Sequence, residues 1–145
     1  DPNMTRYLMS LEESIDLVLY AFQHGNQGDL FVQKAPASTV KDLASALVKI
    51  FKSESDIKII GTRHGEKLYE SLVSREEMSK AEDMGNYYRI PCDNRSLNYS
   101  KFFTEGEQMI SDLEDYTSHN TERLNQKEVE KILNRLDLVK EELNA

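Results

Sequence analysis

Ile57-Lys58-Ile59-Ile60-Gly61-Thr62-Arg63-His64-Gly65-Glu66-Lys67 places a short apolar run directly before a turn that carries a cation and a carboxylate. Four residues rich in isoleucine read as a strand, and the glycine-bearing segment behind them as a tight turn at its end. A small anionic ligand would be gripped at such a place. The planar fork of Arg63 can bind phosphate bidentately, Gly65 lets backbone approach closely, and Glu66 can accept hydrogen bonds from a ribose diol. Arg63-His64-Gly65-Glu66-Lys67 alone also fits a surface turn with two solvated charges.

Upstream, Asp1-Pro2-Asn3 reads as a turn and Met4 to Met9 as a short strand. With no initiating methionine, the chain is expected to be a piece of a longer protein. Ser10-Leu11-Glu12-Glu13 has capping-box spacing, and Leu11, Ile15, Val18, Leu19 and Phe22 share a helical face, so a first helix should end near His24-Gly25. Leu30-Phe31-Val32 predicts a buried strand, broken at Ala35-Pro36-Ala37. Thr39 with Asp42 caps a second helix with the face Val40, Leu43, Ala44, Leu47 and Phe51. The alternation of strand, helix, strand, helix, strand up to Ile60 places this half in the α/β class.

Downstream, Lys67 to Leu72 should form one or two helical turns, Ser74 to Asp83 a charged helical or mobile stretch, and Tyr87 to Ile90 a strand ended by Pro91. From Asp93 to Asn125 the apolar pattern weakens into a polar-aromatic segment expected to wrap over another surface. After Asn125 the stripe Val129, Ile132, Leu133, Leu136, Val139, Leu143 predicts a terminal amphipathic helix. It has too few heptads for a coiled coil, and docking onto its own protein or a sister subunit is expected. The domain reading is an α/β lobe over 1–92 and a mainly helical extension over 93–145.

At 145 residues the chain suffices for a core without disulfides or metal. A formal net charge of −8 argues against nonspecific binding to nucleic acid or an anionic membrane, which reward clustered cations. No stretch approaches the roughly 20 apolar residues of a membrane helix. The one cysteine, Cys92, excludes an intrachain disulfide framework, and there is no basic-apolar leader, so a cytoplasmic home is expected.

No Gly-x-Gly-x-x-Gly opens a βα unit, and no Walker loop appears. His24, His64, His119 and Cys92 lack the paired spacing of a zinc site, so no metal is expected. Ser118-His119 is not a nucleophile-base pair, because adjacent side chains diverge and no third member can be assigned. His119 is read as a hydrogen-bonding loop residue.

Taken together, Met4-Thr5-Arg6-Tyr7, the acidic-capped helix, Gly28-Asp29-Leu30-Phe31-Val32 and the run from Ile57 through Glu70 resemble the C-terminal half of extended short-chain dehydrogenase/reductases acting on nucleotide sugars. The specific resemblance is to the capsular-polysaccharide (CapD/CapE-type) branch, which includes UDP-N-acetylglucosamine 4,6-dehydratases and proteins described as UDP-glucose 4-epimerases. Gly85-Asn86-Tyr87-Tyr88-Arg89-Ile90-Pro91, Arg95-Ser96-Leu97-Asn98-Tyr99 and Asp115-Tyr116-Thr117-Ser118-His119-Asn120-Thr121 look like that branch's C-terminal extension. The likeness covers nearly the whole chain.

The resemblance implies that Arg6 and Arg63 approach the substrate diphosphate and that Glu66 faces the uridine ribose. His64 stands where related dehydratases often have proline, and takes no catalytic part. The family's catalytic lysine and its partner, and its glycine-rich NAD(P) turn, lie in an N-terminal Rossmann half absent here. Tyr99-Ser100-Lys101 imitates the catalytic pair with the wrong spacing. This segment would therefore hold a UDP-sugar but bind no NAD(P) and transfer no hydride by itself.

In the whole enzyme the family chemistry begins with hydride removal from sugar C4. A dehydratase then eliminates water across C5 and C6 and returns the hydride at C6, whereas a 4-epimerase returns it to the opposite face of C4. The capsular-type tail favours the dehydratase. Three classes stay open: the substrate-binding part of such an enzyme, a homo-oligomerisation module built on the terminal helix, and an inactive fragment.

Overall fold

The structure, a computed structural model, describes residues 1–92 and 112–144. The Arg95–Tyr99 motif and Tyr99-Ser100-Lys101 lie outside the described residues. The fold is mixed α/β. Helices occupy Leu11–His24 (α1), Val40–Ile50 (α2), Arg75–Met78 (α3), Gln126–Leu133 (α4) and Asp137–Asn144 (α5). Strands occupy Thr5–Tyr7 (β1), Leu30–Gln33 (β2), Ala37–Thr39 (β3), Ser71–Val73 (β4), Glu82–Asp83 (β5), Tyr87–Ile90 (β6) and Tyr116–Thr117 (β7). None of the described helices is long and apolar enough to cross a membrane.

The chain divides into two compact units. The first contains Asp1–Ser10, Ala35–Glu70 and Thr117–Ala145. In it β1 pairs antiparallel with β3, Arg6 opposite Ser38, and Ala37 also exchanges backbone bonds with Glu122 and Leu124. Thr39 caps α2 as its sequence predicts: its hydroxyl accepts the Asp42 N–H at 3.0 Å and donates to the Asp42 carboxylate at 2.6 Å.

The buried side of α2 differs from expectation. Ala46, rather than the Leu47 and Phe51 side, meets Leu124 and Val129 in the core, with Leu8, Leu43, Ile132 and Leu133 around them. Leu47 and Phe51 are exposed. Alanine lets α2 and α4 approach closely, so the smallest side chain marks the packed face. α4 itself begins with a capping box between Asn125 and Glu128.

The terminal stripe is two helices, not one. Asn134 donates its side-chain amide to the Glu130 carbonyl at 2.8 Å, and the N–H groups of Arg135 and Leu136 reach back only three residues, to Ile132 and Leu133. Those short-range bonds close α4 as a tightened turn before Asp137 starts α5. Val129 and Val139 are buried, whereas Leu143 is exposed.

Two predicted elements are absent. Ile57 to Ile60 is not a strand, and Ile59 is 68% exposed. Among the described residues no strand offers it a ladder, and an apolar run without a partner cannot satisfy strand hydrogen bonds. Lys67 to Leu72 is not helical, because its backbone bonds elsewhere. The carbonyls of Leu68 and Glu70 accept the N–H groups of Thr5 and Ser118 at 3.0 and 2.8 Å, and β4 starts at Ser71.

The second unit contains Leu11–Lys34 and Ser71–Tyr116. Its sheet runs β2-β6-β5, antiparallel throughout, with Val32 opposite Tyr88, and β4 pairs with β7. Arg89 on β6 bridges Asp29 at 2.7 Å and Glu82 at 3.0 Å. The Asp29 side chain is only 4% exposed. The N–H of Asn26 and the Arg89 guanidinium hold its carboxyl below the usual carboxylate value despite partial desolvation. The stretch from Ser74 is helical over α3, with its own capping box to Glu77, and then turns into β5.

α1 is amphipathic as predicted, but its apolar face is uncovered: Phe22 is 83% exposed, and Leu11, Ile15, Val18 and Leu19 are all exposed. Its inner side carries Tyr20, stacked on Tyr87 at 4.3 Å and edge-on to Phe31 at 5.8 Å. Phe22→Glu is therefore expected to change the chain's stability by no more than about 0.5 kcal/mol, as for other exposed positions. Urea denaturation checks it. A large loss would mean that the face is covered in solution.

Candidate functional site

Arg6, expected from the resemblance, and Arg63 and Glu66, expected from the one turn, line one cavity of about 610 Å³ within the first unit. Its apolar wall includes Met4, Val40, Ala44, Ile57, Ile59 and Ile60, and Lys41 and Lys58 add two more cations. A slot with an apolar wall and an arginine pair suits a ligand with a flat apolar part and an anionic part. The missing strand at Ile57 to Ile60 thus leaves its isoleucines facing the cavity.

Arg6 sits on β1, and its guanidinium is held on several sides. Nη1 donates to the Thr5 carbonyl at 2.7 Å, Nη2 to the Lys67 carbonyl at 2.9 Å, and Nε lies 3.6 Å from a Glu70 carboxylate oxygen. A guanidinium has five N–H groups, so these contacts leave donors for a ligand while fixing the plane of the fork. Glu70 closes the quoted motif, yet nothing in its spacing identifies it as the counter-ion of Arg6.

The Arg63 turn is closed by reciprocal bonds. Arg63 N–H donates to Glu66 Oε2 at 3.0 Å, and Glu66 N–H donates to the Arg63 carbonyl at 3.1 Å. Gly65 has φ +77°, and a Cβ there would meet nothing within 4 Å, so the turn requires glycine for its dihedral and not for space. His64 is exposed and does not line the cavity, in keeping with a turn residue.

One Glu66 oxygen is thus engaged by the turn, and Oε1 is left to accept from a ligand. The Arg63 N–H, then the N-terminal ammonium and after it the guanidinium groups of Arg63 and Arg6, hold the Glu66 carboxyl below the usual value against partial desolvation. A depressed carboxyl stabilises the folded turn above its ordinary value and loses that contribution as pH falls through the folded value. The Arg63 amide resonance is therefore expected to be constant at neutral pH and to shift only in acid, below the ordinary carboxylate range. An NMR pH titration checks it; a shift near neutrality would contradict the Glu66 bond.

Ser118 and His119 do not form a nucleophile-base pair. Both reach Thr5 instead, Ser118 Oγ and His119 Nδ1 each at 2.7 Å from Thr5 Oγ1. The His119 ring also leans on Tyr69 at 4.7 Å. If Ser118 donates to the Thr5 carbonyl, the Thr5 hydroxyl donates to Ser118 and His119 Nδ1 must carry a proton. If Ser118 donates to Thr5 Oγ1, His119 Nδ1 accepts. Sequence reading found the loop role of His119 but missed this node, since Thr5 and Ser118 are 113 positions apart.

Among the described residues no group of three or more His, Cys, Asp or Glu side chains is placed to hold a metal ion. Residues 1–92 match the family described as "Polysaccharide biosynthesis protein", and residues 93–140 match "Polysaccharide biosynthesis protein C-terminal". Curated relatives include a UDP-glucose 4-epimerase of Rickettsia bellii (strain OSU 85-389), 67% identical over 143 residues, 99% of this chain and 42% of that protein. Another, of Rickettsia akari (strain Hartford), is 65% identical with the same coverage. The chain spans about two-fifths of the length of these relatives. The X-ray structure of Pen from Bacillus thuringiensis superimposes with a TM-score of 0.75 at 23% identity, covering 95% of this chain and 39% of Pen, a likeness of fold. On the match that covers its first 92 residues, the chain belongs to the polysaccharide biosynthesis protein family.

Proposed function

We propose that this chain is the substrate-binding segment of a nucleotide-sugar epimerase or dehydratase that acts in surface polysaccharide biosynthesis. The observation that carries the reading is the convergence of Arg6, Arg63 and Glu66 on one partly apolar cavity. In this reading Arg6 and Arg63 hold the diphosphate of a UDP-sugar, and Glu66 Oε1 accepts from the ribose. Residues 1–92 form the substrate lobe, and residues 93–145 an extension through which copies of the enzyme associate.

The finer activity is that of a UDP-N-acetylglucosamine 4,6-dehydratase with 5-epimerase character, favoured by the resemblance of the tail. A simple UDP-glucose 4-epimerase is the second reading, favoured by the names of the Rickettsia relatives. Both need the same grip on the diphosphate. NAD(P), which supplies the hydride chemistry of such enzymes, finds no glycine-rich strand-to-helix turn in this sequence. It is assigned to no residue here, and the contribution of this chain is binding and orientation. The segment alone is inactive in this reading.

Calorimetric titration of the chain with UDP, UDP-N-acetylglucosamine and uridine tests the proposal. The two diphosphates are expected to bind and uridine to bind far more weakly, because the clamp contacts are to phosphate. Equal affinity for uridine and UDP would remove the diphosphate clamp.

A further inference from the structure

We propose that Ser118 is a positioning residue for Arg6, acting from the far end of the chain on the fork that faces the cavity. The inference rests on the reading of Arg6 as a diphosphate ligand. Ser118 is 0% exposed, as is Thr5, and its hydroxyl stands where three strands of chain meet. Ser118 Oγ accepts the Glu70 N–H at 3.0 Å and can donate to either of two Thr5 oxygens, the carbonyl at 3.2 Å and Oγ1 at 2.7 Å. Its own N–H donates to the Glu70 carbonyl at 2.8 Å.

Ser118 bonds two of the residues that hold Arg6, and with one of them, Thr5, through the same carbonyl. The Thr5 carbonyl accepts Arg6 Nη1, and the Glu70 carboxylate lies beside Nε. The third support, the Lys67 carbonyl, is three residues before Glu70, in the stretch that Leu68 ties to the Thr5 N–H. Ser118 therefore sets the spacing between β1 and the Lys67–Glu70 segment, and that spacing fixes the plane of the guanidinium. Removing the hydroxyl leaves the Glu70 N–H without its acceptor and takes one donor from Thr5. Unpaired in this part-buried place, the N–H draws the segment toward another partner, and Arg6 moves with it. The Arg63 turn shares none of these bonds and stays in place.

The experiment compares the chain with its Ser118→Ala variant by NMR of the arginine Nε–Hε groups and by UDP titration. Arg6→Ala and Arg63→Ala assign the two signals. In Ser118→Ala the Arg6 signal is expected to lose its protection from exchange and its dispersion, the Arg63 signal to stay, and UDP affinity to fall about fivefold. An unchanged Arg6 signal, or equal changes at Arg6 and Arg63, overturns the proposal, since a general loss of packing would not select one arginine. An Arg6 signal that changes with unaltered UDP affinity also overturns it. Failure of the unsubstituted chain to bind UDP while the Arg6 signal responds as expected overturns the diphosphate reading instead. If Ser118→Ala does not fold, Ser118→Cys, which keeps the volume with a weak donor and acceptor, is read in the same way. If neither folds, Ser118 is a structural residue only and the proposal fails.

Discussion

Replacing Arg63 with alanine is expected to weaken UDP binding to this chain about tenfold, close to 1.4 kcal/mol, with little loss of thermal stability. Arg63 is exposed and lines the cavity, so the substitution removes the proposed ligand contact without opening a core. Charge-assisted bonds to phosphate exceed neutral ones, although water screening keeps an exposed pair below the strength of a buried one. Arg63→Lys should recover only part of the loss, because lysine restores the charge without the planar fork. The turn itself survives in both variants, since the Arg63 backbone, not its side chain, bonds Glu66. Titration calorimetry at two salt concentrations checks this. Unaltered affinity in Arg63→Ala would mean that the phosphate lies elsewhere.

Val129→Asp is expected to have the largest effect on stability. Val129 is 0% exposed and meets Ala46 and Leu124 where α4 docks on α2. Truncation to alanine should cost about 2 kcal/mol through lost burial and an incompletely closed cavity. Aspartate adds the penalty of an unpaired carboxylate in an apolar contact, for a total of roughly 4 kcal/mol or more. That is a large share of the roughly 5–15 kcal/mol by which whole domains are stable. The first unit should then lose its NMR dispersion at a markedly lower temperature than the unsubstituted chain. A Val129→Asp chain that keeps its dispersion to the same temperature would show that α4 does not depend on α2.

What the sequence determined by itself were the locally encoded features. The Thr39–Asp42 cap, the end of α1 at His24 and the turn at Gly65 all follow from bonds or dihedrals within a few residues. Arg63 and Glu66 were proposed from local pattern too, since arginine, glycine and glutamate at short spacing suit an anion turn, whereas Arg6 was proposed from the family resemblance alone. Tertiary structure decided everything that needs a distant partner. It left Ile57 to Ile60 out of any sheet, drew Lys67 to Leu72 away from helix into bonds with Thr5 and Ser118, and put Ala46 rather than Leu47 in the core. It also set the Glu70 carboxylate beside Arg6 and brought Ser118 to the Glu70 N–H. Local pattern specifies which backbone conformations are cheap, whereas burial and hydrogen-bond partners more than a hundred residues apart are fixed only when the chain closes on itself.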